Sequence, residues 1–172
     1  MRGSRGEKRL SALAWLIKRV GIDPGELADE SGLDARIRVQ KLVFLMRELV
    51  REFRTYRFNL YKFGPYSKDL ADDYYKLASL SREELDRLSG EYSPSPRAER
   101  LLEELSRFDT ETLELMATAV DLWVEMRRHF KDVSRSRMVR RLLAVKGWAT
   151  IRDAERAVRK AEELGLLRLV DG

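Results

Sequence analysis

The sequence predicts a mainly α protein with a small β component, winged-helix-like and containing a helix-turn-helix. Three observations lead there. Apolar residues recur three and four apart along most of the chain, as the buried stripe of a helix requires. One segment, residues 56–63, switches to alternation, the period of a strand. The C-terminal part holds two short basic helical patterns around Gly147, followed by an apolar tail placed like the start of a wing.

Taken in order, Leu10, Leu13, Ala14, Ile17 and Val20 mark a first helix over residues 7–20. Pro24, Gly25 and Gly32 make residues 21–34 a loop or a short helical turn. The strongest helix is predicted over residues 35–53, with Val39, Leu42, Val43, Met46, Leu49, Val50 and Phe53 on one stripe and Asp34 as N-cap. Phe44 and Leu45 widen that stripe, which implies burial on more than one side. In the strand, Tyr56, Phe58 and Leu60 alternate with Arg57, Asn59 and Tyr61. Gly64 and Pro65 should end it, because glycine accepts positive φ and proline cannot extend a ladder.

Ser67 is placed to cap a helix to about residue 80, and Ser81 with Glu84 forms a capping box for a short one to about residue 88. Residues 90–96, with two prolines, read as a hinge between regions 1–89 and 97–172, which are expected to share one core. Four further helices are predicted, over residues 96–108, 110–129, 134–145 and 150–164. Gly165 is a C-cap candidate, and residues 166–170 form a candidate second strand.

Composition narrows the function. With no cysteine, disulfides, thiolate zinc sites, iron–sulfur clusters and a cysteine nucleophile are excluded; with His129 the sole histidine, paired-histidine and three-histidine metal sites go too. No apolar run approaches the roughly 20 residues of a membrane-spanning helix, and the basic start lacks a signal-peptide core, so a cytoplasmic protein is expected. Charged residues make up 37% of the chain, whereas Asn59 and Gln40 are its only side-chain amides; this is the composition of a heat-adapted protein. Charge is segregated: net +6 over residues 1–63, −8 over 64–126 and +7 over 127–172. Such a chain can neutralise itself internally or turn a positive face to an anionic partner.

The constellations of catalysis are missing. The glycines form no phosphate loop, and no serine stands in a nucleophile-elbow context. His129 closes the long helix pattern, where a cation suits the helix dipole. Adjacent acids such as Asp72 and Asp73, or Glu103 and Glu104, diverge by about 100° on a helix and read as solvated faces. The expectation is a non-enzymatic protein that needs no cofactor and no metal.

One motif is specific. Arg38-Val39-Gln40-Lys41-Leu42-Val43-Phe44-Leu45 opens the most buried helix, and Tyr56-Arg57-Phe58-Asn59-Leu60-Tyr61-Lys62-Phe63-Gly64-Pro65-Tyr66-Ser67 follows it. The pairing resembles the YwgA-like proteins and the related Panacea domains, typified by SocA-type antitoxins, over about residues 35–80. A weaker echo lies at Lys146-Gly147-Trp148, where the Panacea element has a His and a Pro that this chain lacks. The resemblance implies a non-enzymatic module, often used to hold a protein partner, with some members regulating transcription. The motif residues Gln40, Lys41, Tyr61, Gly64, Pro65, Tyr66 and Ser67 read mostly as structural, since turn and capping chemistry accounts for them.

The basic segments carry the leading functional expectation. Residues 134–146 hold five basic residues and no acid. Arg137, Arg140 and Arg141 share the face opposite Met138, Leu142 and Val145, while Arg152, Arg156 and Arg159 share a face of the last helix. With Arg135 and Lys146 these are the candidate nucleic-acid contacts of a regulatory protein. The competing reading is a self-neutralised face, with Glu155, Glu162 and Glu163 pairing with basic neighbours such as Arg159 and Lys160. No aromatic residue is interleaved with the arginines, so stacking of unpaired bases is not expected. The alternative function is an antitoxin-like or adaptor module binding a protein partner, which an exposed Trp15, Trp123 or Trp148 would favour; homodimerisation is left open.

Overall fold

The computed structural model describes residues 3–172. Among the described residues the chain forms α1 (Arg5–Arg19), α2 (Pro24–Ala28), α3 (Leu33–Met46), β1 (Asn59–Tyr61), β2 (Gly64–Tyr66), α4 (Lys68–Ala78) and α5 (Arg82–Gly90). There follow α6 (Pro96–Ser106), α7 (Thr110–Met126), α8 (Arg135–Val145) and α9 (Ile151–Glu163). Short 3₁₀ turns lie at Glu30–Gly32 and Arg51–Thr55. The protein is therefore mainly α with one small antiparallel sheet. No helix among the described residues is long and apolar enough to cross a membrane.

Helix starts follow local chemistry. Ser4, Ser81 and Thr150 form capping boxes with Glu7, Glu84 and Asp153. Ser67, Ser95, Asp109 and Ser134 accept from the backbone N–H groups of Leu70, Ala98, Thr112 and Arg137, which would otherwise be orphaned.

Helix α3 is the centre of the molecule: every residue from Val39 to Met46 is buried, and it packs against α7, α6 and β2. Around it, α1 packs on α5, α2 on α4, and α7, α8 and α9 on one another. Buried side chains from both sides of residue 90 join a single cluster. The predicted hinge is docked, with Gly90 ending α5 and the Tyr92 ring 5.2 Å from that of Trp15.

Three element boundaries differ from the prediction. Helix α3 stops at Met46, not residue 53, and the carbonyls of Arg47 and Glu48 beyond it are taken by the Arg54 guanidinium at 3.3 and 2.8 Å. Gly32, not Asp34, is its N-cap; Asp34 sits in the first turn and accepts from Thr110 Oγ1 at 3.1 Å. The strand is shorter at its start, since Tyr56 turns inward to donate to Asp73 Oδ2 at 2.7 Å beneath the Arg9 guanidinium.

Gly64 and Pro65 do not end the β structure but begin its second strand, with Leu60 opposite Pro65 and Tyr61 opposite Gly64. A two-stranded ribbon consists only of edges, where a missing N–H is tolerated. At the C-terminal end, Val170 makes one parallel bridge with Ser134, through Arg135 N to Val170 O and Val170 N to Val133 O, both 3.0 Å. The segment after α9 closes in this bridge and not in a hairpin, so the second strand expected over residues 166–170 is reduced to a single bridge.

Candidate nucleic-acid interface

Helices α8 and α9 each bury one face and expose the other. Met138 and Leu142 anchor α8 in the core; Ala154, Ala157, Val158 and Ala161 anchor α9. At 100° per residue, Arg140 falls opposite the first pair with Arg137 and Arg141 on the flank beside it, and Arg152, Arg156 and Arg159 fall opposite the second set. All six are exposed, and none is ion-paired among the described residues. Of the acids that could neutralise the α9 face, Glu162 is taken by Arg135 and Glu163 pairs with Lys160, while Glu155 is exposed beside Arg159 and forms no ion pair among the described residues. Two grooves adjoin the arginines, and Arg140 borders both. One, of about 550 Å³, runs between the end of α7 and α8; the other, of about 800 Å³, separates α8 from α9.

The remaining two candidates are placed differently. Arg135 donates to Glu162 at 2.6 Å and to Asp171 at 2.7 Å, tying the start of α8 to the end of α9 and to the tail. Those hydrogen bonds, Glu162's first, hold its guanidinium above the ordinary arginine value. Lys146 corrects the sequence reading outright. Its side chain is 2% exposed, and its ammonium donates to Glu114 Oε1 at 2.7 Å and to the Lys62 carbonyl at 2.8 Å. A buried ammonium already satisfied in this way cannot contact a phosphate backbone.

The sequence motif gathers around the same buried cations. Lys41 of α3 donates to the Pro65 carbonyl at 2.6 Å, so two lysines, from α3 and from the C-cap of α8, hold β2 and the β1–β2 turn respectively. Burial pushes Lys41 down to about 8, against the opposing pull of Glu114. Gln40 reads the Ser67 backbone with both ends of its amide: Nε2 donates to Ser67 O at 2.9 Å, and Ser67 N donates to Oε1 at 2.8 Å. Gly64, at φ +89°, lies so close to α7 that an added Cβ would come within 2.7 Å of Thr118 Oγ1. Thr118 Oγ1 is itself buried and lacks a hydrogen-bond partner among the described residues. Tyr61 and Tyr66 meet edge to face at 5.4 Å, and they border a groove of about 320 Å³ between the hairpin, α3 and α4. These contacts give the motif its structural part.

Sequence reasoning passed over Glu114 and Phe130 and left open which tryptophan is exposed. Glu114, one acid among many on α7, is the buried counter-charge of Lys146. Trp148, which the sequence places in the Lys146-Gly147-Trp148 echo and among three candidate anchors, is 51% exposed on the α8–α9 turn, whereas Trp15 is buried and Trp123 Nε1 donates to the Arg168 carbonyl. Phe130 lies after α7 and is 46% exposed, with the Arg137 guanidinium 4.6 Å from its ring centre. Among the described residues no cluster of histidines and acids could hold a metal ion. No family model, curated protein or solved structure matches the chain significantly.

Proposed function

We propose that the chain is a non-enzymatic regulatory protein that binds nucleic acid through the outward faces of α8 and α9. One observation carries the reading: six exposed arginines on two packed helices, with no carboxylate paired to any of them among the described residues. Unpaired surface guanidinium groups favour phosphate, which they can grip through two parallel hydrogen bonds. Arg137, Arg140, Arg141, Arg152, Arg156 and Arg159 are the contact residues.

The test is anisotropy of labelled duplex DNA over a salt series, with the Arg137→Ala/Arg140→Ala/Arg141→Ala variant alongside. Binding should weaken with salt, and removing three phosphate contacts should shallow the slope of log K against log salt by about 2.7. Binding indifferent to those arginines would overturn the assignment.

A second reading, a protein-binding adaptor or antitoxin-like module, is favoured by the exposure of Trp148 at 51%, with Tyr61 and Phe63 also exposed on the hairpin. Exposed aromatic anchors dominate protein interfaces. A complex with the product of an adjacent gene, disrupted by Trp148→Ala and untouched by the arginine changes, would favour it.

A further inference from the structure

The groove between the end of α7 and α8 is built unlike a surface for phosphates alone. Its rim carries Arg137, Arg140 and Arg141, with His129 beside them, and its apolar lining comes from Met126 and Phe130; Glu125 is the acid among its residues. Phosphate recognition has no use for the apolar part. An unpaired base does, because its faces stack on aromatic rings and on guanidinium planes while its backbone stays among cations. Phe130 and Arg137 already form such a pair, 4.6 Å from guanidinium carbon to ring centre, and Phe130 remains 46% exposed beside that partner. The volume, about 550 Å³, is within the range of small-ligand pockets.

We infer that this groove receives an unpaired nucleotide, its base stacked at Phe130 and Arg137 and its flanking phosphates held by Arg140 and Arg141. The inference rests on the nucleic-acid reading above and sharpens it, since the preferred ligand becomes a single strand, or an unpaired segment of a longer molecule. Charge decides between this occupant and an apolar peptide: three arginines without an ion pair among the described residues share the groove with its apolar lining.

Anisotropy with four labelled ligands tests it: a short oligothymidylate, the matching oligouridylate, an abasic strand of equal length and a duplex. The two base-bearing strands should bind more tightly than the abasic one, and their difference separates a DNA ligand from an RNA one. Phe130→Ala should weaken them roughly 5- to 150-fold, the range for loss of one stacked base, and leave the abasic strand and duplex unchanged. Phe130→Tyr should restore the wild-type preference. Equal effects of Phe130→Ala on all four ligands, or no effect on any, would overturn the stacking site. If the arginine triple variant still loses affinity in that case, the nucleic-acid reading stands without it. Failure of the wild-type protein to bind any of the four would remove both.

Discussion

Lys146 donates to Glu114 across 32 residues of sequence, from the C-cap of α8 to the first half of α7, and both side chains are buried. The pair replaces hydration that neither group could recover inside the protein. Lys146→Ala would leave Glu114 buried without its hydrogen-bonded partner, and a loss of about 3–5 kcal/mol is expected. Lys146→Met combined with Glu114→Leu should recover most of it, because an apolar pair needs no solvation. Urea denaturation of the two single variants and the double one checks this. Additive losses would show that the two side chains do not act as a pair.

Gln40 satisfies two backbone groups at once, and it is buried at 1% exposure. Gln40→Ala should cost about 1–3 kcal/mol, chiefly from leaving the Ser67 N–H unpaired, since the Ser67 carbonyl keeps its hydrogen bond from Ala71 N. Thermal unfolding measures it. A loss under about 1 kcal/mol would mean that the Ser67 turn finds other partners.

Two glycines should respond oppositely to the same substitution. Gly64→Ala places a methyl against Thr118 in a backbone conformation that L residues avoid, so stability should fall by more than about 1 kcal/mol. Gly147 has an ordinary φ, and a Cβ added there would meet nothing within 4 Å, although it lies in the α8–α9 turn. Gly147→Ala should be neutral or gain up to about 1 kcal/mol by restricting the unfolded chain. Denaturation midpoints of the two variants decide.

Stability should rise with pH just above neutrality. Lys41 loses its proton near 8 in the folded chain but near 10.5 unfolded. Between those values the unfolded chain binds more protons, so unfolding becomes less favourable as pH increases. The cost of keeping Lys41 charged is present below 8 and is relieved above it. Tyr74 and Tyr92 are raised mainly by burial and act in the opposite direction above about 10, which confines the useful window to roughly pH 8–9.5. Urea midpoints across that window should climb in the wild type and stay flatter in Lys41→Met. Parallel curves would remove Lys41 as the cause.

Not every cation of α8 and α9 should matter for binding. Arg152→Ala/Arg156→Ala/Arg159→Ala should shallow the salt slope by about 2.7, as the α8 triple does. Arg135→Ala should leave the slope unchanged, because its guanidinium is engaged with Glu162 and Asp171. A slope change for Arg135→Ala as large as one arginine of the triple would show that it leaves those acids when nucleic acid binds.

Helix starts are the most legible features of this chain, since a cap such as Ser67 or Ser81 depends on residues only three away. The end of α3 is not, because its apolar stripe runs on through Leu49, Val50 and Phe53, and the Arg54 contacts that satisfy the carbonyls past Met46 exist only in the folded chain. The outward placement of Arg137, Arg140 and Arg141 follows from the apolar residues opposite them. Lys146 belongs to the same acid-free run, and nothing nearby in sequence marks it as buried; the deciding partner, Glu114, lies on another helix. Phe130 is invisible for a related reason. Periodicity assigns it to no stripe, and its closeness to Arg137 arises from the chain's reversal between α7 and α8.

The hairpin has a consequence for synthesis. Residues 59–63 are all exposed, and a two-stranded ribbon on its own is marginal in water, so the order of this one depends on lysines reaching in from positions 41 and 146. The second lysine emerges from the ribosome 84 residues after the carbonyl it holds. A nascent chain that has grown only past the hairpin therefore carries it unsecured, and the ribbon sets after α8 has docked. Its amide protection during translation should appear together with that of the last helices, long after its own residues have been made.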